Sequence, residues 1–299
     1  MMKEKHMVTG AFGYSGSYIA KELLSKGYEV LTLTNSSKEN DRIKKFPLSF
    51  NNKDMLIESL KGVDVLYNTY WVRFNHKNFT YADAVKNTKI LFDAAKKANV
   101  KKIVHVSITN PSEDSELEYF KGKAELEKEL KQSGMEYSIV RPAVFFGGSD
   151  ILINNIAWSL RYLPVSGYFG KGEYKIRPVH IKDFAMIVVN EGNGHSSRTV
   201  NAVGPESYTY KELLKMISKT IGTKKMFMSI PPIIGYITGY FIGLYKRDVF
   251  ITWDEIKGLM QGLLYTNSEA TGSTKLSVWV DNKKENLGRH YESELAKRN

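Results

Sequence analysis

Apolar runs and amphipathic stretches alternate through the first half of the chain. A short apolar run ends at Val8-Thr9. From Ser17 to Lys26, Ile19, Ala20, Leu23 and Leu24 then fall on one face at helical spacing, and Gly27 stops that helix. Val30-Leu31-Thr32-Leu33 predicts a second strand, Val63 to Tyr67 a third, Lys102 to Val106 a fourth and Tyr137 to Val140 a fifth. Ala82 to Ala98 carries Ala84, Val85, Thr88, Leu91, Phe92 and Ala95 on one helical face. Glu118 to Gln132 forms another helix, which ends at Gly134. Near-continuous apolar strands alternating with helices predict an α/β fold: a doubly wound parallel sheet covered on both faces.

After Gly147-Gly148 the alternation loosens. Ile151 to Leu163 reads as helix, Arg177 to Ile181 as a short strand, Asp183 to Val189 as helix, and Thr209 to Ile221 as a helix begun by Thr209 or Tyr208. The expected organisation is a main domain over residues 1–150 and a smaller, interwoven substrate-side lobe over 151–299, with 176–190 returning to the main sheet. Met226 to Tyr245 has no charged side chain outside its flanks, yet Pro231-Pro232, Gly235, Gly239 and Gly243 interrupt it. It reads as a loop up to the prolines followed by a short buried helix, with no transmembrane span; peripheral contact with a membrane is the alternative. Leu287 to Asn299 reads as a charged terminal helix.

The turn after the first strand carries the clearest chemistry. Thr9-Gly10-Ala11-Phe12-Gly13-Tyr14-Ser15-Gly16 places three glycines between a strand and a helix. Residues without a Cβ permit a positive φ and close approach of backbone to phosphate. The helix start adds N–H groups and the positive end of its dipole. Strand, glycine turn, helix and strand fill the first 34 residues, the context a Rossmann-type dinucleotide fingerprint requires.

Composition narrows the alternatives. With 299 residues, 42% hydrophobic and 25% charged, the chain is an ordinary globular protein. It has no cysteine, which excludes disulfides, thiolate nucleophiles and cysteine metal sites and suits a reducing cytoplasm. The net charge of +11 comes from scattered lysines, with no continuous basic helix, so nucleic acid is not an expected partner. The six histidines show no metal-ligand spacing, and no metal is expected.

Tyr119 and Lys123 lie four apart on a predicted helix and share a face. An ammonium there would lower the phenol pKa toward the range of a general acid or base. With Thr9-Gly10-x-x-Gly13-x-x-Gly16, Tyr119-x-x-x-Lys123, Arg141-Pro142-Ala143 and Val179-His180-Ile181-Lys182-Asp183, the chain resembles the extended and atypical short-chain dehydrogenase/reductases, the epimerase/dehydratase-like branch. Within that branch it is most similar to the group of the 39-kDa accessory subunit of respiratory complex I and the NmrA-like proteins.

The resemblance implies specific roles. Thr9, Gly10, Gly13 and Gly16 would hold the pyrophosphate, and Phe12, Tyr14 and Ser15 would complete the turn. Asn68 and Thr69 would line the ribose channel, and Pro142 and Val144 would pack beside the nicotinamide. Tyr119 would be the acid/base, Lys123 its partner and a ribose ligand, and Ser107 or Thr109 would orient a substrate oxygen. Three features depart from the pattern: hydroxyls flank the expected serine position on both sides, the acidic, turn-forming loop Asn110-Pro111-Ser112-Glu113-Asp114 makes the separation of Ser107 from Tyr119 shorter than usual, and Asn68-Thr69-Tyr70-Trp71 replaces a small-residue run.

The second strand runs into Thr34-Asn35-Ser36-Ser37-Lys38, without the carboxylate that usually binds the ribose of NAD. Asn35, Ser36 and Ser37 as donors, with Lys38 or Arg42 as counter-charge, favour NADP over NAD. Two functions follow as expectations: an NAD(P)-dependent oxidoreductase or epimerase acting on a small molecule, or a non-catalytic NAD(P)-binding assembly factor, sensor or subunit.

Overall fold

The computed structural model describes residues 3–77 and 79–297. Two compact units emerge, one of residues 1–142 with 184–201, the other of 143–183 with 202–299.

The first unit is built on a seven-stranded sheet. Its first strand, β1 (Lys5–Thr9), leads through the glycine turn into α1 (Tyr14–Ser25) and then β2 (Glu29–Leu33). The expected strands and helices follow, with a short strand and helix between them that the sequence did not announce, β3 (Ile43–Phe46) and α2 (Lys53–Leu60). Next come β4 (Val65–Asn68), α3 (Tyr81–Lys97), β5 (Lys102–Val106), α4 (Glu118–Gln132) and β6 (Glu136–Pro142). Thr80 caps α3, accepting from the Asp83 N–H while Asp83 bonds back to Thr80, and Lys96 and Lys97 oppose the dipole in its last turn.

The second unit opens with β7 (Val144–Phe146), α5 (Leu152–Tyr162), β8 (Val165–Phe169), β9 (Lys175–Ile176) and β10 (Pro178–His180). The chain then forms α6 (Ile181–Asn193) and β11 (Arg198–Ala202), the last strand of the large sheet. It continues through β12 (Tyr208–Thr209), α7 (Tyr210–Thr220), β13 (Met226–Ile230), α8 (Pro232–Lys246), α9 (Trp253–Met260), α10 (Leu276–Lys283) and α11 (Glu294–Lys297). Phe146, Ile153, Leu160, Ile176, Leu213 and Ile256 form its core.

Strand order in the large sheet is β11-β6-β5-β4-β1-β2-β3, and the pairs from β6 to β3 are parallel. Chain order runs outward from β1 through β2 to β3, then reverses to β4 on the other side of β1. The carboxyl ends of β1 and β4 therefore form a topological switch point, where ligands bind in open α/β sheets. Met7, Leu33, Leu66, Leu91, Ile103 and Ile139 fill the core beneath it.

Three expectations for the second unit are corrected. Met226 to Ile230 is a strand, paired in parallel with β8, not a loop. The helix after the prolines is not buried: only Gly235, Gly239 and Gly243 are buried, with Tyr236 packed partly against the core, and Ile233, Ile234, Ile237, Tyr240, Phe241, Leu244 and Tyr245 are exposed. The C-terminal stretch is helical only at Glu294–Lys297 among the described residues; Gly288 sits against the Ala157 backbone, and the turns around it break the helix.

Candidate functional site

The glycine turn is locked by its own backbone. The Gly10 N–H donates to the Leu33 carbonyl at 2.9 Å, and the Gly13 N–H donates to the Gly10 carbonyl at 2.8 Å. Gly10 has φ +66°, in the left-handed region. A Cβ on Gly16 would lie 2.3 Å from the Gly10 carbonyl oxygen, so only glycine lets α1 start so close to the turn. Gly13 caps α1 with extended backbone and no side-chain bond, and the first turn holds no acidic residue. Phe12, Tyr14 and Ser15 are half-buried around it. This tight cradle, facing a positive dipole end at the switch point, fits a pyrophosphate.

The β1 and β4 ends are tied together behind the turn. Thr9 Oγ1 accepts the Thr69 N–H at 2.7 Å, and the Thr69 hydroxyl donates to the Thr9 carbonyl at 2.6 Å. Asn68 is fully buried; its side chain accepts from the Thr9 hydroxyl and the Tyr70 N–H and donates to His105 Nδ1 at 3.0 Å. Thr9 and Asn68 thus hold the floor in register, and Thr69 stands beside Gly10.

At the end of β2, Thr34 is buried and accepts the Ser36 N–H, while Asn35 exchanges two bonds with the Leu48 backbone. Ser37 and Lys38 are exposed. Arg42, expected to share the counter-charge role, lies elsewhere: it precedes β3, whose Ile43 pairs with Val30, and it lines a small cleft with Lys3 and Tyr28 at the amino end of the strands. Lys45 of β3 lies nearer the glycine turn. It pairs with Thr32, and its Nζ lies 6.0 Å from the Phe12 ring centroid and 3.9 Å from Glu39. Sequence reading missed it because β3 has only four residues, one of them buried.

Three of the four candidate catalytic residues are engaged and buried. Lys123 is 2% exposed, and its ammonium donates to the Val106 carbonyl at 2.7 Å under the Trp71 ring, 4.2 Å from its centroid. These contacts favour the ammonium, but burial outweighs them and the pull of Glu127 and pushes the Lys123 pKa down to about 7. The Ser107 hydroxyl donates to Glu127 at 2.6 Å, and buried Glu127 also takes a bidentate pair from Arg141. Thr109 is buried, its N–H bonded to the Pro142 carbonyl at the end of β6. Tyr119 is half-buried, with its ring 5.6 Å from Trp71 and 5.7 Å from Tyr81. Val144 is buried at the start of β7, in the second unit.

Trp71 organises this aromatic cluster, and local sequence does not reveal it. A Cβ on Gly122 would lie 3.0 Å from Trp71 and 2.9 Å from Val85, so Gly122 makes the room the indole needs against α4. The buried indole N–H has no hydrogen-bond partner.

A family model described as the NmrA-like family matches residues 2–237. The chain belongs to the NmrA-like family. A mitochondrial 40 kDa subunit of NADH-ubiquinone oxidoreductase from Neurospora crassa is 27% identical over 236 residues, covering 75% of this chain and 62% of that relative. The photosystem II assembly factor Ycf39 of Cyanophora paradoxa is 29% identical over 238 residues, covering 75% and 71%. The chain therefore spans less than two thirds of the fungal subunit. Among solved structures, a Citrobacter sp. triphenylmethane reductase complexed with NADP(H) superposes with a TM-score of 0.78 at 17% identity, over 93% of this chain and 99% of that one. A nucleoside-diphosphate-sugar epimerase from Staphylococcus aureus gives 0.73 at 18%, over 93% and 99%. The fold is that of the NAD(P)-binding epimerases and reductases.

In this NmrA-like chain the glycine cradle and the α4 cluster serve different ends. The cradle offers backbone donors to an anion. The α4 cluster offers one half-buried phenol and an amine sealed from water. No group of three or more His, Asp or Glu among the described residues is placed to hold a metal ion.

Proposed function

We propose that this NmrA-like protein binds a nicotinamide dinucleotide as a held ligand, structural or sensory, within a larger assembly, and does not turn it over. The observation that carries this reading is the sealing of Lys123. An acid/base tyrosine needs its lysine at the cofactor ribose; here the amine is spent on the Val106 carbonyl and covered by Trp71. Ser107 is likewise spent on Glu127. The names of the relatives, a respiratory complex subunit and a photosystem assembly factor, agree with this reading.

Gly10, Gly13 and Gly16 would hold the pyrophosphate, with Thr69 at its side. Ser36, Ser37, Lys38 and Lys45 would surround the adenosine ribose, and Lys45 supports NADP over NAD because its ammonium can meet a 2′-phosphate. When bound as a coenzyme, the nicotinamide supplies or accepts a hydride. The half-buried Tyr119 favours a second reading, an oxidoreductase in which the phenol carries the proton. In either reading the second unit carries the partner- or substrate-facing role.

The test is nucleotide titration beside turnover. Calorimetry should show NADPH binding more tightly than NADH, with Lys45→Ala narrowing the difference. Nicotinamide absorbance should stay constant across a panel of quinones and carbonyl compounds. Turnover in the wild type that is lost in Tyr119→Phe would overturn the held-ligand reading.

A further inference from the structure

Helix α8 inverts the usual arrangement of a surface helix. Its three glycines, four residues apart, all face the body of the second unit. A Cβ would lie 2.3 Å from the Phe169 ring at Gly235, 2.5 Å from Ile251 at Gly239, and 2.6 Å from the Asp248 carbonyl oxygen at Gly243. The helix therefore lies on the unit largely through bare backbone, with Tyr236 packed against the core and Ile242 half-buried, while Ile233, Ile234, Ile237, Tyr240, Phe241, Leu244 and Tyr245 are turned outward. Phe241 is 63% exposed, Leu244 58% and Tyr245 80%. Exposed Met226 on β13 pairs with exposed Val165 on β8, which extends the patch past the helix. Contiguous apolar surface of this kind marks an interaction site.

The chemistry around the patch selects its occupant. From residue 213 to residue 247 there is no Asp or Glu, while Lys215, Lys219, Lys224, Lys225, Lys246 and Arg247 supply six cations. Beside the helix a groove of about 770 Å³ opens between Trp158, Tyr162, Ile237, Phe241 and Tyr245, with Lys246 and Arg289 among its lining residues. Lys246 Nζ sits 4.8 Å from the Trp158 ring and 4.9 Å from the Tyr245 ring. Aliphatic and aromatic side chains with hydroxyl-tipped rings, with lysine and arginine and no carboxylate among the groove's lining residues, match the boundary between acyl chains and anionic headgroups. At 15 residues α8 rises about 22 Å, and among the described residues no helix is long and apolar enough to cross a membrane.

We propose that α8 docks this protein in the plane of an anionic phospholipid bilayer, its Ile, Phe, Leu and Tyr side chains in the headgroup–acyl boundary. The groove takes one acyl chain, and Lys246 and Arg289 meet its phosphate. This surface lies wholly in the second unit and does not draw on the dinucleotide reading.

The test is sedimentation of the full chain with vesicles of phosphatidylcholine alone or mixed with phosphatidylglycerol. The wild type should pellet with the mixed vesicles, bind the neutral ones weakly, and lose affinity as salt rises. Phe241→Asp with Leu244→Asp should weaken binding to the mixed vesicles about tenfold or more. Lys224→Glu with Arg247→Glu should weaken it several-fold. Should the double aspartate variant fail to fold, Tyr245→Glu replaces it, at the most exposed of these positions. Each variant should keep wild-type NADPH affinity, so a lost vesicle interaction is separable from a failed dinucleotide site. Wild-type protein that ignores both vesicles, or aspartate variants that pellet as well as wild type, would overturn the proposal. So would a wild-type dimer, indifferent to vesicles, that these substitutions convert to monomer, because the face would then be covered by a second copy.

Discussion

Helices α4 and α8 break the same rule in opposite directions. On α4, Lys123 and Glu127 are buried, each about 2% exposed. On α8, isoleucines, a phenylalanine, a leucine and tyrosines stand in solvent. Buried charge is costly unless fully partnered, and exposed apolar surface is costly unless something covers it. On α4 the compensation lies within the first unit: Arg141 and Ser107 for Glu127, the Val106 carbonyl and the Trp71 face for Lys123. On α8, among the described residues, nothing covers these exposed side chains. The first inversion is thus closed within its own unit, well partnered at Glu127 but short of offsetting burial at Lys123, and the second stands open to solvent. Both helices are seated by glycine: Gly122 admits Trp71 on α4, and Gly235, Gly239 and Gly243 admit the body of the unit on α8.

The largest expected effect tests the closed device. Glu127→Gln removes the charge that satisfies Arg141 and should destabilise the protein by about 3 kcal/mol, measured by denaturant unfolding, because breaking a buried pair strands its partner. If the pair were an exposed ornament, the loss would be within about 0.5 kcal/mol. Next in size is Gly239→Leu on α8. Its side chain would enter Ile251, and overpacking should cost about 2 kcal/mol.

A pH series separates the two helices further. The folded Lys123 amine has a pKa of about 7, below its ordinary 10.5. Between those values the unfolded chain keeps a proton that the folded chain releases, so stability rises with pH across that window. Relative to Lys123→Met, the wild type should gain on the order of 2 kcal/mol between about pH 7 and pH 9. Calorimetric melts of both proteins check this; parallel curves would show that Lys123 keeps its proton in the folded state. The smallest effect belongs to the open device. Phe241→Ser should change stability by no more than about 0.5 kcal/mol, because an exposed side chain loses little burial. A large loss would mean that α8 is covered within the protein itself.

Sequence legibility follows the range of the interactions. The bounds of β5 and α4 coincide with those read from the apolar pattern, and the glycine turn lies where its spacing puts it, because local periodicity and backbone geometry determine them. Strand β3 escaped because a four-residue edge strand with Lys44 and Lys45 at its centre shows no apolar run. Its loss hid Lys45 and left Lys38 and Arg42 as the two cations in view, of which Arg42 lies at the amino end of the strands. The sealing of Lys123 depends on Trp71, 52 positions away, and no local pattern encodes that contact. For α8 the signal was present and misread. Glycines at 235, 239 and 243 share one helical face, and the small face packs inward while the apolar count alone suggests burial.

If Lys123 is closed off from the dinucleotide as proposed, the nucleotide is held and not consumed. The most direct measurement follows nicotinamide absorbance of NADPH bound to the purified full chain, in the wild type and in Tyr119→Phe, across electron acceptors and carbonyl compounds. Bound NADPH should persist unchanged, and identically, in both proteins. Oxidation in the wild type that Tyr119→Phe abolishes would contradict the held-ligand reading.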